Sequence, residues 1–236
     1  MLVDWGEIRA ALERARRPGP PRLEVVDGSL EARSVGLLPG SFDPLTVAHA
    51  ALAQALDTDV VVFLYSPATL PKEGGPGGQP EPPLLTEEDR VASLLAFAGR
   101  RPRLAVALCS HGLLADQASA AAGAFPDARL VFGVGSDKVA QVLDPRWYDD
   151  RDRALDRLFV RAELAYALRS GDRERVARAL AGSYRWRSRI RPLAVDPSLA
   201  AVSSRAVRVV FRRGEDVSSL VPGEVLPFLT RGGGRR

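Results

Sequence analysis

The sequence predicts an α/β fold, a doubly wound parallel sheet with a small helical part at the C-terminus. Three observations carry this. Short apolar, β-branched runs at 34–39, 59–65, 104–109 and 129–135 alternate with segments of helical periodicity, the pattern of successive βαβ units. The run DVVVFLY at 59–65 is continuously apolar after its first residue, as expected of a strand buried on both faces. A chain of 236 residues with 46% apolar and 26% charged side chains has an ordinary globular balance and enough length to bury a core.

The elements follow in order. Ile8, Ala11, Leu12 and Ala15 stand at helical spacing before PGPP breaks the pattern. Leu23 to Val26 reads as extended and ends at the turn Asp27-Gly28. From residue 34, SVGLLP forms a strand ending at Pro39-Gly40. DPLTVAHAALAQAL then predicts a helix with Asp43 as N-cap and Pro44 at its first position. After the strand at 59–65, the Pro- and Gly-rich stretch 71–83 reads as a mobile loop. Thr86 opens a helix with Asp89 three residues on; Val91, Leu94, Leu95 and Ala98 form its apolar stripe and Gly99 stops it. A strand at 104–109, an alanine-rich helix at 113–125 and a strand at 129–135 follow. Between 146 and 181, Leu155, Leu158, Phe159 and Ala162 suit a helix, with a short strand at 158–160 as the alternative. Residues 186–195 alternate and end the parallel part; 204–213 and 218–229 read as two closing helices. The organisation expected is an N-terminal extension at 1–33, one domain at 34–230 and a disordered tail at 231–236.

Composition narrows the function. No apolar run approaches the roughly 20 residues of a membrane span. The first residues carry acids early and show no apolar signal-peptide core, so a cytoplasmic protein is expected. A lone cysteine, Cys109, excludes a disulfide framework and reads as a small core residue. Basic residues number 33 and acidic 29, but only two of the basic ones, Lys72 and Lys138, are lysines. Residues 151–213 hold 16 arginines and 6 acids, a net of +10, while the rest of the chain is net −6. Such asymmetry suggests a phosphate-bearing partner. Nucleic acid ranks last, since no known module or aromatic interleaving accompanies the arginines. Arg173, Arg175 and Arg178 read as a solvated helix face, His111 as a loop histidine, and Trp5 and Trp186 as packing residues.

Two segments can do chemistry. In GSFDPLTVAH (40–49) a strand ends, Gly40 lets the backbone approach a ligand, and a helix begins. Thr46 and His49 share one face near that helix's positive end, where a hydroxyl and an imidazole can donate to phosphate oxygens. In VSSRAVR (202–208), Ser203 and Ser204 precede a helix that starts near Arg205, with Arg208 one turn in. The hydroxyls and free amides there form a second anion nest.

GSFDPxTxAH near the start with SSxxxR near the end resembles the nucleotidylyltransferase superfamily. VFGVGSDKVAQVLDPRWY, LTEEDRVASLLAFA and RGEDVSSLVPGEVLPFL are similar to segments of its nicotinate/nicotinamide mononucleotide adenylyltransferases. The similarity covers about 34–230 in the family's order. It implies a Rossmann-like nucleotidyltransferase fold and adenylyl transfer from ATP, with Mg²⁺, to nicotinate or nicotinamide mononucleotide. By that resemblance, Gly40, Ser41 and Phe42 give backbone contacts to both nucleotides, and His49 touches the ATP phosphates. Thr46 stands in the place of the motif's first histidine. Ser203, Ser204 and Arg208 hold the outer phosphates, and Gly135 and Asp137 line the ribose side; Arg205, which replaces the motif's threonine, adds charge beside the ATP phosphates. Trp147 stacks on the nicotinyl ring. Lys72, on the loop after Ser66-Pro67, reaches the polyphosphate, with Ser66 on the substrate side. No protein metal cluster is expected.

The chain departs from the pattern at Ala48, where the motif has glycine, and at Arg205, where it has threonine. Residues 1–33 and the Gly/Pro-rich loop are further departures. These bear on the acceptor more than on the chemistry. The alternatives are another phosphate acceptor, such as phosphopantetheine, or a degenerate nucleotide binder without turnover. Expected partners are small nucleotide substrates; no membrane is expected, and a homo-oligomer stays open.

Overall fold

Seven strands form one sheet in the order β1-β4-β3-β2-β5-β6-β7 in the computed structural model, which describes residues 4–28, 31–68 and 82–233. The strands are β1 (Leu23–Asp27), β2 (Ser34–Gly40), β3 (Val60–Tyr65), β4 (Leu104–Cys109), β5 (Arg129–Gly135), β6 (Ala162–Ala167) and β7 (Ile190–Leu193). All pairings are parallel except β1 on β4, which is antiparallel. Central β3 is buried at every position, in keeping with its apolar run.

Helices cover both faces. One face carries α1 (Trp5–Arg16), α2 (Val47–Ala55), α3 (Glu87–Ala98), α8 (Ser204–Arg212) and α9 (Leu226–Gly233). The other carries α4 (Leu114–Ala124), α5 (Ser136–Leu143), α6 (Arg151–Arg161) and α7 (Arg173–Ala181). This is the doubly wound arrangement the alternation predicts. The chain leaves β2 through α2 on one face and leaves β4 through α4 on the other. The sheet therefore changes winding direction beside β2 and β5, where open α/β sheets place their ligand crevice.

Several sequence expectations change in detail. The segment read as an extension joins the same core: Ile8, Ala11, Leu12 and Ala15 are buried as their spacing predicts, and β1 adds a strand to the sheet. Arg16 pairs with Glu87 at the start of α3. The second helix is capped by Thr46, not Asp43, and starts at Val47 rather than Pro44. The reason is a reciprocal box, in which Thr46 Oγ1 accepts from the His49 amide and His49 Nδ1 accepts from the Thr46 amide. Asp43 is used elsewhere, accepting from the amides of Leu84 and Leu85.

Residues 158–160 stay in α6, and the strand begins at Ala162. No turn residue separates α6 from β6, which hid the change of period. Only Ile190–Leu193 of the alternating 186–195 run is strand; Trp186 lies in a 3-10 turn. The second closing helix is short, because Pro222 and Gly223 interrupt 218–229, although Val217, Val221 and Val225 are still buried. Thr86 caps α3 by accepting from the Asp89 amide, as read. Of the tail at 231–236, residues 231–233 continue α9 and 234–236 lie outside the described residues. The loop at 71–83 lies outside them except for Pro82 and Pro83. No described helix is long and apolar enough to cross a membrane.

Candidate active site

A cavity of about 590 Å³ opens over the carboxyl ends of the parallel strands. Eleven of the residues read from the sequence line it: Gly40, Ser41, His49, Ser66, Gly135, Asp137, Trp147, Ser203, Ser204, Arg205 and Arg208. Phe42 and Thr46 do not reach its wall. Lys72 lies outside the described residues.

The floor is built by the β2–α2 turn. Phe42 has a left-handed backbone, φ 43°, a conformation uncommon for a bulky residue. It folds the ring back over Gly40, where any Cβ would stand 2.8 Å from ring atoms. The same ring packs edge-on against His49 at 5.4 Å and Phe63 at 5.6 Å. Phe42 is thus a buried wedge that seats the histidine.

Thr46 is fully buried and acts through His49. Its amide donates to His49 Nδ1 at 3.1 Å, and its hydroxyl lies 2.8 Å from the same nitrogen. A ring nitrogen that accepts from a backbone amide carries no proton, so the neutral ring holds its proton on Nε2. Burial, then the positive charge of Arg169, pushes His49 down to about 4. At neutral pH the imidazole is therefore an uncharged Nε2–H donor, and its residue lines the cleft.

The late motif is bonded to the early one across 160 residues of sequence. The Ser204 hydroxyl donates to the Pro44 carbonyl at 2.9 Å. Arg208, itself buried, donates to the Asp43 carbonyl at 2.9 Å and stands 3.5 Å from its carboxylate. Arg90 of α3 lies 3.6 Å from the same carboxylate. Ser203 caps α8 by accepting from the Ala206 amide at 3.1 Å. Buried Asp43 therefore joins the β2–α2 turn, the start of α3 and α8, and brings two helix N-termini to one cavity.

Several cleft residues were not among the site residues read from the sequence. Arg169 follows β6, whose strand was not foreseen. Its Nε stands 3.0 Å from Asp137 Oδ1, and its amide donates to Ser136 Oγ at 2.9 Å. Arg173, Arg175 and Arg178 are all exposed as read, and Arg175 also borders the cavity. Lys138 also lines the cleft and donates to Gln141 Oε1 at 2.6 Å. Gln117, in the first turn of α4, is a buried cleft residue. Positional signals existed for Arg169 and Lys138, each just beyond a strand's carboxyl end; Gln117 carried none.

Cations on the wall (Lys138, Arg169, Arg175, Arg205, Arg208) outnumber its carboxylates (Asp137, Asp144, Asp196). Each carboxylate has a protein partner: Arg169 for Asp137, Arg146 for Asp144, the Ser198 amide for Asp196. No group of three or more His, Cys, Asp or Glu among the described residues could hold a metal ion. Cys109 is buried, with its thiol pushed up by burial. Trp186 stacks on Phe159 and donates to Asp156, and Trp5 packs against the α1 side of the core. His111 bonds Ser110 beside the cleft without lining it. The arrangement gives the cavity wall an excess of positive charge suited to an anionic ligand.

No family model matches the chain. A curated relative from Anaeromyxobacter dehalogenans strain 2CP-1, "Probable nicotinate-nucleotide adenylyltransferase", is 30% identical over 213 residues, 85% of this chain and 96% of its own length. A second, from Anaeromyxobacter sp. strain K, matches equally. A third of the same description, from Bordetella avium strain 197N, is 29% identical over 208 residues, 85% of this chain and 97% of its own. With 30% identity sustained across most of its length, the chain belongs to the nicotinate-nucleotide adenylyltransferase family and is a nucleotidyltransferase.

Proposed function

We propose that the cleft transfers the adenylyl group of MgATP to the 5′-phosphate of nicotinate or nicotinamide mononucleotide. An oxygen of the mononucleotide phosphate attacks the α-phosphorus in line. One phosphoanhydride bond forms, the α–β bond breaks, and pyrophosphate leaves with the electron pair. No covalent enzyme intermediate is required, so catalysis consists of positioning and charge neutralisation.

The observation that carries this reading is the pairing of neutral His49 at the start of α2 with Ser203, Arg205 and Arg208 at the start of α8 in one cavity. His49 Nε2–H donates to a phosphate oxygen. Arg205 and Arg208 neutralise the outer phosphates, and Lys72 is assigned to the polyphosphate on the sequence resemblance alone. Gly40 and Ser41 offer backbone groups, Gly135 and Asp137 line the ribose side, and the pyridine base lies against Trp147. The engaged state of the cleft carboxylates supports Mg²⁺ arriving as part of the ATP substrate, held by the triphosphate itself. The relatives' shared description favours this acceptor class over phosphopantetheine.

The test is pyrophosphate release from ATP, Mg²⁺ and each mononucleotide. Turnover well above a His49→Ala control is expected with at least one of them; release no greater than that control with both overturns the reading.

A further inference from the structure

Arg169 reaches the cleft from β6 across its neighbour strand. Gly135 of β5 and Ala167 of β6 are register partners, so Asp137 and Arg169 each stand two residues beyond the same point at the carboxyl edge of the sheet. The Arg169 side chain leans over the end of β5: a Cβ on Gly135 would stand 2.7 Å from its Nε and 2.5 Å from Asp137 Oδ1. Glycine at 135 lets this pair close over the strand. The base of the side chain is fixed. The Arg169 amide donates to Ser136 Oγ at 2.9 Å, and that buried hydroxyl donates to Asp172 at 2.7 Å.

The head of the side chain is not committed. Nε stands 3.0 Å from Asp137 Oδ1, yet that oxygen accepts no hydrogen bond. The contact is therefore one of charge and not of an aligned N–H. Neither η nitrogen donates a hydrogen bond to a described residue. The side chain is 33% exposed and lines the cavity. A guanidinium so placed keeps a planar fork of donors for a ligand. Its charge also reaches across the cleft. Burial first and then Arg169 push His49 down; for Lys138 burial leads again, with Arg169 acting in the same direction. Arg169 thus stands among Asp137, Lys138 and His49.

Resting on the adenylyl-transfer reading above, ATP has its ribose against Gly135 and Asp137 and its phosphates against His49. The α-phosphate joins the ribose to the outer phosphates, so it falls where Arg169 stands. We propose that Arg169 is a catalytic residue whose guanidinium donates to the non-bridging oxygens of the ATP α-phosphate. In an in-line transfer those oxygens are equatorial on the phosphorus under attack, and the attacking mononucleotide phosphate is itself an anion. A cation on them offsets the repulsion most strongly in the transition state. Arg205 and Arg208 rise instead from α8, on the outer-phosphate side.

The experiment measures pyrophosphate release over a grid of ATP and mononucleotide concentrations with wild type, Arg169→Met and Arg169→Lys. The ion pair with Asp137 is partly exposed and contributes little to stability, so both variants should fold, which thermal unfolding checks; Arg169→Gln replaces the methionine variant if that one does not. Removing one transition-state donor costs about 100- to 1000-fold in kcat. Arg169→Met is therefore expected to lose at least tenfold in kcat, with a smaller change in the KM for ATP. Arg169→Lys, which keeps the charge without the fork, should be faster than Arg169→Met. A kcat loss below tenfold, a loss carried by KM alone, or a lysine variant no faster than the methionine one overturns the proposal. If wild type turns over neither mononucleotide above the His49→Ala control, the adenylyl-transfer reading itself falls. Turnover with kcat unmoved sinks only the role of Arg169.

Discussion

Replacing Asp43 with alanine tests how the cleft is held together. The side chains of Asp43, Arg208 and Arg90 are 5%, 9% and 12% exposed. The carboxylate stands 3.5 Å from one guanidinium and 3.6 Å from the other. It also accepts from the amides of Leu84 at 3.0 Å and Leu85 at 2.9 Å. Removing one partner of a buried ion pair costs about 3–5 kcal/mol, because the remaining charge loses its compensation without regaining water. The two amides each lose an acceptor, an effect of about 1–3 kcal/mol where burial is complete. These costs overlap, since water entering the vacated space relieves all of them, so the expected loss is about 3–5 kcal/mol. Domains of this kind have only about 5–15 kcal/mol in total. Urea unfolding of wild type, Asp43→Ala, Arg208→Met and the double variant measures it. The double variant should cost less than the sum of the singles, with a coupling of about 1–3 kcal/mol. A loss below about 1 kcal/mol for Asp43→Ala, or strict additivity, would refute the view of Asp43 as the joint between α8 and the β2–α2 turn.

Further outcomes follow from the same geometry. His49 sits at about 4 in the folded chain against 6.5 ordinarily. Between those values the unfolded chain takes up a proton that the folded one refuses. His49 therefore makes stability fall by up to about 3 kcal/mol as pH drops from 6.5 to 4, and contributes no further loss below. Urea midpoints at pH 7 and 4.5 should show this extra fall in wild type and not in His49→Gln; parallel curves would count against it. Arg205 is exposed on the cleft wall, so Arg205→Ala should leave stability within about 0.5 kcal/mol and raise the KM for ATP roughly 3- to 10-fold. An unchanged KM would remove Arg205 from the phosphate site. Leu12, 1% exposed in α1, should cost about 2–5 kcal/mol when cut to alanine. A loss under about 1 kcal/mol would mean that α1 is only appended to the core.

Much of the architecture was legible because its signals are local. The apolar run of β3, the Thr86 cap and the stripe of α3 each depend on residues within one or two turns. The boundary between α6 and β6 was not legible, since no Gly, Pro or Asn separates them and Ala162 suits either state. Missing β6 also hid Arg169, whose importance lies in standing at that strand's carboxyl end. Asp43-Pro44 is a plausible local helix start, and it lost to the Thr46–His49 box because the Asp43 carboxylate is claimed by amides 41 and 42 residues away. Arg175 cannot be told from Arg173 and Arg178 by composition; the placement of α7 decides which of them meets the cleft.

The sequence by itself determined the class of fold and the family and singled out the two candidate segments that line the cleft, because strand and helix periods and motif spacing are properties of neighbours along the chain. Only the tertiary structure decided what those segments do to one another. It placed Thr46 behind His49 rather than in the cleft and tied Ser204 and Arg208 to the turn at 43–44. Those outcomes depend on which distant groups arrive to satisfy a buried charge or hydrogen bond, and no local spacing encodes them.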